Sequence, residues 1–526
     1  MVEQNSLVEY GFRRVIITVT AIFCALLEIV DTTIVNVALN DMKGNLGATL
    51  NEVGWVITAY AIANVIIVPM TSWLSQQFGR RNYFAASIII FTVSSFLCGN
   101  ANGIWELVLF RFIQGLGGGA LLVTSQTIIT ESYPPEKRGM AQAIYGLGVI
   151  IGPTLGPPLG GYIVDHFSWP YIFYINIPIG VVATLLTLQF VRSPKYGEKA
   201  ERGSIDWWGI VFLAAAVGSL QFVLERGQED DWFNSTTILV LSVVAILAFY
   251  FFIWRELTYK KPIVELRVLK NANLRVGTIL SFILGFGLYG STFIIPLYTQ
   301  ATLGWTAQQS GALMIPAALT TAFMMPIIGR LLQKGVPQQY LVAGGMFLFF
   351  VFSFWGYKII TPDTGGDAFF WPLIVRGIGM GMLFIPITTL SLSTLKGQEI
   401  GQGAAFTGMM RQLGGSFGVA LITTFISRRN MLHREDLVGY LDTNDPDVIN
   451  RIKGMQASFM AKGFSPDVAL NTAYKAMDYS VYKQASVMSY MDVFLYLGIM
   501  FLICIPFVLM VKGNKKKKID LSEAMH

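Results

Sequence analysis

The feature that most constrains this chain is a succession of apolar runs, each long enough to cross a bilayer, joined mostly by short polar connections. A hydrocarbon core about 30 Å thick is crossed by about 20 helical residues. About fourteen such runs are present, near 14–39, 52–74, 82–99, 104–130, 140–164, 171–191, 207–224, 236–254, 274–300, 307–331, 340–360, 369–395, 401–427 and 486–511. In lipid each backbone polar group needs an internal partner, which leaves helices and closed barrels. A barrel reads as short alternating segments, whereas these runs are long and continuous, so the chain is predicted to be an all-α integral membrane protein. Charged residues make up 13% of the sequence, about half the 25% with which a soluble domain covers its surface. Arg13 and Arg14 before the first run resemble the start of a signal peptide. No small-residue cleavage site follows, so the run is expected to stay as the first spanner.

Lys and Arg set the expected orientation. Arg13/Arg14, Arg80/Arg81, Lys137/Arg138, Arg192 to Arg202, Arg255 to Arg275, Arg330/Lys334, Lys396 and the Lys515–Lys518 tail fall on one side. The loops around 100–103, 165–170 and 301–306 carry neither Lys nor Arg. Both termini are therefore predicted to be cytoplasmic, in a multi-pass membrane protein. Residues 428–485 form a long extracytoplasmic insert of mixed charge. Val448, Ile449, Ile452, Met455, Phe459 and Met460 recur at helical spacing, and Ser465-Pro466-Asp467 reads as a helix start. Two readings of this insert stand: a cap packed on the outer mouth, or a docking surface for a periplasmic adaptor protein.

The residues that support covalent chemistry are missing in pattern. Cys24, Cys98 and Cys504 all lie in apolar runs, and His166, His433 and His526 are scattered, so neither a disulfide framework nor a metal site is expected. The sequence contains no HExxH and no Gly-rich Lys loop for ATP. The expectation is a non-enzymatic protein without cofactor, energised by an ion gradient.

Charge inside the spans points to function. Asp31, in Asp31-Thr32-Thr33-Ile34-Val35-Asn36-Val37-Ala38-Leu39, and Glu28 share one face of the first run. A carboxylate at that depth costs about 2.5–3.5 kcal/mol on insertion scales, and desolvation and repulsion disfavour two negative charges side by side. Such a pair can load and release a proton. Arg111, in Arg111-Phe112-Ile113-Gln114-Gly115-Leu116-Gly117-Gly118-Gly119, must find acceptors, and Asp31 is a plausible partner. Its glycines permit close helix approach. Arg376-Gly377-Ile378-Gly379-Met380-Gly381 echoes that segment about 265 residues later, as in transporters built from repeated halves. Gly148 to Gly161, with Gly152, Pro153, Gly156, Pro157, Gly160 and Gly161, reads as a kinked, closely packed hinge.

Together these segments resemble the major facilitator superfamily, specifically its fourteen-spanner drug:proton antiporters of the EmrB/QacA type. The resemblance covers nearly the whole chain. Asp31 to Leu39 is similar to the family's first-helix signature, Arg111-x-x-Gln114-Gly115-x-Gly117 to its fourth-helix motif, and Gly152 to Gly161 to its antiporter motif. Trp55 to Tyr60, Ile175-Asn176-Ile177-Pro178-Ile179-Gly180 and Arg411-Gln412-Leu413-Gly414-Gly415 agree with further segments. Asn40 stands where the signature usually has Pro. In the gate-like loop Ser72 to Arg81, Ser72 replaces a Gly and Gln76 an Asp, beside Gly79, Arg80 and Arg81. The resemblance implies two six-helix bundles, residues 1–191 and 274–526, with two extra spanners in 192–273. It further implies proton-driven export of amphiphilic compounds by alternating access, with Asp31, Glu28 and Arg111 in coupling. Asn36, Tyr60, Gln114, Tyr289, Phe293, Tyr298, Arg376 and Arg411 are the expected cavity residues, the two arginines favouring anionic or zwitterionic substrates. A dedicated exporter of one metabolite, lipid or siderophore fits the same residues, and a transport-dead receptor or scaffold is a remote alternative.

Overall fold

The computed structural model describes residues 7–134, 137–193, 205–259, 261–442 and 444–510. The Lys515–Lys518 tail, His526 and most of the basic linker after Arg192 lie outside them. The apolar runs form helices in order: α1 (Gly11–Asn45), α2 (Leu50–Phe78), α3 (Arg80–Gly99), α4 (Ile104–Ser132), α5 (Arg138–His166), α6 (Tyr171–Tyr174), α7 (Asn176–Phe190), α8 (Trp207–Arg226), α9 (Thr236–Thr258), α10 (Ala272–Ala301), α11 (Ala307–Leu313), α12 (Ile315–Gln333), α13 (Gln338–Ile359), α14 (Gly366–Leu392), α15 (Gln398–Gly439), α16 (Pro446–Ala461) and α17 (Pro466–Met510). Among the described residues twelve helical segments are long and apolar enough to cross a membrane, and α5, bent by 41° after Pro153, makes a thirteenth. The run expected at 401–427 does not reach that standard. It lies in α15, a helix whose glycines and buried Arg411 face neighbouring helices rather than lipid.

Local chemistry explains the breaks. Pro178 has no N–H for the carbonyl of Tyr174, four residues earlier, and the sixth run divides there into α6 and α7. The tenth run divides between α11 and α12, with Pro316 in the first turn of α12. Capping boxes start α2 (Thr49 with Glu52) and α11 (Thr306 with Gln309), each satisfying orphan backbone donors.

Glycine contacts reveal the repeat. On α4, Gly115 and Gly119 lie against the backbone of α2 at Tyr60 and Asn64, while Gly117 lies against α3 at Ser87 and Phe91. On α14, Gly377 meets α12 at Ala317 and Gly379 meets α13 at Gly345. On α5, Gly148, Gly152, Gly156 and Gly160 seat Ile22, Ile29, Thr33 and Ile34 of α1. On α15, Gly414, Gly415 and Gly418 seat Phe282, Tyr289 and Phe286 of α10. Thus α1 to α5 and α10 to α15 repeat one packing plan. Between them α8 rests on α2, through Gly218 at Ile66, and on α15, where Gln221 donates to Ser416 at 2.9 Å. Its partner α9 is mostly exposed on its apolar flank, as a lipid-facing helix should be.

The insert expected at 428–485 is helical almost throughout. Helix α15 continues unbroken to Gly439 and α17 begins at Pro466, so both project beyond their apolar stretches. Between them α16 packs along α17 and buries no residue of its own. The expected cap is therefore a helical projection.

Candidate functional site

Asp31 on α1 is fully buried and both of its carboxylate oxygens accept hydrogen bonds. Oδ2 accepts from Arg111 Nη1 at 2.5 Å. Oδ1 accepts from Gln114 Nε2 at 3.0 Å and Asn176 Nδ2 at 2.8 Å. Arg111, 1% exposed, also donates to Gln114 Oε1 and to the Val56 carbonyl, and stacks over Tyr60 at 4.1 Å. Ser95 accepts from both Gln114 and Asn176. Breaking a pair of this kind leaves an uncompensated buried charge, at a cost of about 3–5 kcal/mol. One carboxylate thus ties α1 to α4 and α7, and its charge is the element that holds the network.

Glu28, one turn earlier on α1, is placed differently. Its Oε1 accepts from Asn64 Nδ2 at 2.9 Å, while Oε2 is buried without a hydrogen-bond partner among the described residues. Facing it from the second half is Arg411 on α15, 2% exposed, whose Nη1 and Nη2 likewise have no such partner. The Arg411 guanidinium lies 5.4 Å from the Phe384 ring centre, and Phe384 approaches Tyr145 of α5 across the interface at 6.4 Å. Glu28, Arg411, Tyr145 and Tyr289 lie within electrostatic reach of one another.

Arg376 on α14 occupies the place in the second half that Arg111 holds in the first. It donates to Ser291 Oγ at 2.9 Å and Thr292 Oγ1 at 2.7 Å, both on α10, the counterpart of α1. Among the described residues no carboxylate pairs with it. The halves therefore share the arginine but not the acid.

The other expected cavity residues separate. Tyr60 and Gln114 belong to the Asp31–Arg111 network. Tyr289 borders Arg411 and the glycines of α15. Phe293 is half-buried among the side chains of the second half. Tyr298 packs inside that half, donating to the Thr361 carbonyl at 2.6 Å and sitting against Phe369 and Tyr490, which removes it from the space between halves. Asn36 is exposed, two turns beyond Glu28.

At the end bearing the basic loops, Arg80 pairs with Glu131 at the foot of α4, one of the contacts measuring 3.2 Å. Gln76 accepts from Gln398 of α15, so the residue that replaces the usual acid still bridges the halves. Gly79 turns between α2 and α3 with φ +82°, a conformation open to glycine. The backbone N–H of Arg81 donates to Ser193 Oγ at 3.1 Å. Along α5, Gly152, Gly156 and Gly160 hold α1. Pro158 packs on Gly311 and Gly161 lies near Gln308, both in the second half. Asn64, Ser95, Glu131 and Gln398 were not signalled by motif. Buried polar residues in apolar runs are the clue that finds the first two.

Residues 21–419 match the Major Facilitator Superfamily. The chain is 36% identical to Multidrug export protein EmrB of Escherichia coli over 438 residues, which cover 83% of this chain and 85% of that protein. It is 34% identical to Fatty acid resistance protein FarB of Neisseria gonorrhoeae over 498 residues, covering 94% and 96%. The solved structure of the proton:xylose symporter XylE, 14% identical, superposes with a TM-score of 0.58 over 95% of this chain and 96% of that one.

Proposed function

The chain belongs to the major facilitator superfamily, and on that premise we propose that it is a proton-coupled antiporter exporting amphiphilic drugs or other toxic compounds across the bacterial cytoplasmic membrane. The observation that carries this reading is the buried Asp31–Arg111 pair. An acid whose charge draws three donors from two other helices is a switch: a proton on Asp31 weakens its hold on Arg111, Gln114 and Asn176, and loosens α1 from α4 and α7. Glu28, with an oxygen free, gives a second protonation point on the same helix. The kinked α5, seated on α1 by glycines and on the second half through Pro158, carries that loosening to the interface between bundles. Substrate enters from the cytoplasm or inner leaflet, and protons arriving from outside displace it. The membrane potential adds about 2.3 kcal/mol per charge for each 100 mV. No resident cofactor enters the cycle.

The projection of α15, α16 and α17 serves as a docking surface for a periplasmic adaptor protein. Met431, Leu432, Val438, Tyr440 and Phe464 are exposed on it, apolar side chains that a partner could cover. A dedicated exporter of one apolar acid is the second reading, favoured by the relative named for fatty acid resistance. Uptake of a fluorescent amphiphile into inverted vesicles tests the exporter reading. Accumulation is expected with a pH gradient, acid inside, and is abolished when an ionophore collapses it. Accumulation that requires ATP, or none with any of a chemically varied panel, overturns it.

A further inference from the structure

Two buried groups of opposite charge keep polar atoms without a hydrogen-bond partner among the described residues, and they come from opposite halves of the molecule. Glu28 Oε2 on α1 and both terminal nitrogens of Arg411 on α15 lack a hydrogen bond of normal geometry among the described residues, the Tyr145 side chain lying within interaction range of Arg411, and both residues are more than nine-tenths buried. They are not an ion pair with each other, since no nitrogen of Arg411 comes within 4.0 Å of a Glu28 oxygen. A buried donor or acceptor left unmade costs about 1–3 kcal/mol, more for a charged group. Native structures keep such groups rarely, and each instance calls for a cause.

The surroundings point to that cause. At the end bearing Arg80 the halves touch where Gln398 donates to Gln76 and Gly401 meets Ser72. At the opposite end they touch where Gly311 admits the Pro158 ring. Glu28 and Arg411 lie between these closures, with Tyr145, Tyr289 and Phe384 beside them as aromatic walls. Arg376 is already engaged by Ser291 and Thr292, and Asp31 by Arg111. Of these intramembrane charges, the ones with atoms still to be answered are Glu28, through one carboxylate oxygen, and Arg411, through its guanidinium fork.

We infer that Glu28 and Arg411 are the two poles of one substrate site, which takes a zwitterionic amphiphile: its carboxylate on the Arg411 fork, its protonated amine on Glu28. A guanidinium presents parallel donors that match a carboxylate bidentately. An ammonium on Glu28 occupies the oxygen a proton would take, so substrate and proton exclude one another there, as antiport requires. A purely anionic ligand answers Arg411 but gains when Glu28 is protonated, which ties substrate to proton in the same step rather than opposing them. The inference rests on the exporter reading for its use of the site, although binding itself needs no gradient.

One scaffold in three charge forms tests it: N-octylphenylalanine (zwitterion), its methyl ester (cation) and N-octanoylphenylalanine (anion), titrated calorimetrically into the purified full chain in detergent. The wild type is expected to bind the zwitterion at least tenfold more tightly than either of the others. Arg411→Gln should erase the preference over the ester, and Glu28→Gln the preference over the anion. Arg411→Lys, which keeps the charge and guards against misfolding, should retain part of the first preference. A wild type that binds none of the three, or binds ester or anion as well as the zwitterion, overturns the assignment, as does an Arg411→Gln protein that still prefers the zwitterion. Zwitterion binding without gradient-driven transport would leave this site standing and remove the exporter reading. Transport without the charge preference would do the reverse.

Discussion

Arg111 on α4 donates to Asp31 on α1 across 2.5 Å, and both side chains are sealed from solvent. Removing one partner leaves the other as a bare buried charge. Arg111→Gln is therefore expected to lower stability by about 3–5 kcal/mol, read as a fall in thermal unfolding temperature in detergent. Adding Asp31→Asn to it should restore part of the loss, because the stranded carboxylate goes too. Additive losses in the double variant would mean that the two groups do not act as a pair.

The contact of Gly152 with Ile29 makes a second, independent expectation. A Cβ at 152 would lie 2.5 Å from Ile29 Cγ2 and 2.9 Å from its Cβ. Gly152→Ala should overpack the α1–α5 seam by about 1–3 kcal/mol and slow transport. Ile29→Ala in the same chain should recover much of both. Recovery of stability without transport would assign the glycine to the motion itself rather than to packing.

Gln76 and Gln398 join the halves at the end bearing the basic loops. Cysteines at both positions, linked by a short bifunctional thiol reagent, should arrest transport, and a cleavable linker should restore it on reduction. The native Cys24 and Cys98 are buried and Cys504 is partly covered, so each single variant supplies the control. Undiminished transport in the linked protein would mean that the halves do not separate there.

Helix α16 buries no residue. Replacing residues 441–464 by a short Gly-Ser connector should leave folding and vesicle transport unchanged, while export from intact cells falls if an adaptor docks on the projection. Loss of folded protein would instead make α16 part of the structural core.

The sequence carried the helices and the first-half site in plain form, for a physical reason. Charges inside apolar runs are expensive, so Glu28, Asp31, Arg111, Arg376 and Arg411 stand out without any structure. Glycine periodicity in 148–160 likewise foretold a close seam. What stayed hidden depends on pairing across distant segments. Nothing in α4 marks Glu131 as the partner of Arg80, and nothing in the composition of 398–439 shows that so polar a helix packs against α10 and α2. Tyr298 looks like a cavity aromatic by position on α10, but its register turns it toward Thr361. The unanswered charges on Glu28 and Arg411 appear only when the two halves are brought together.

The most direct test of coupling compares wild type with Asp31→Asn in proteoliposomes holding an internal pH dye, under an imposed pH gradient and a panel of amphiphiles. Retained ligand binding should first show that the variant is folded. Several unrelated compounds are expected to trigger proton movement through the wild type and none through the variant. Proton movement that persists in Asp31→Asn would contradict the assignment of Asp31 as the coupling acid and transfer that role to Glu28.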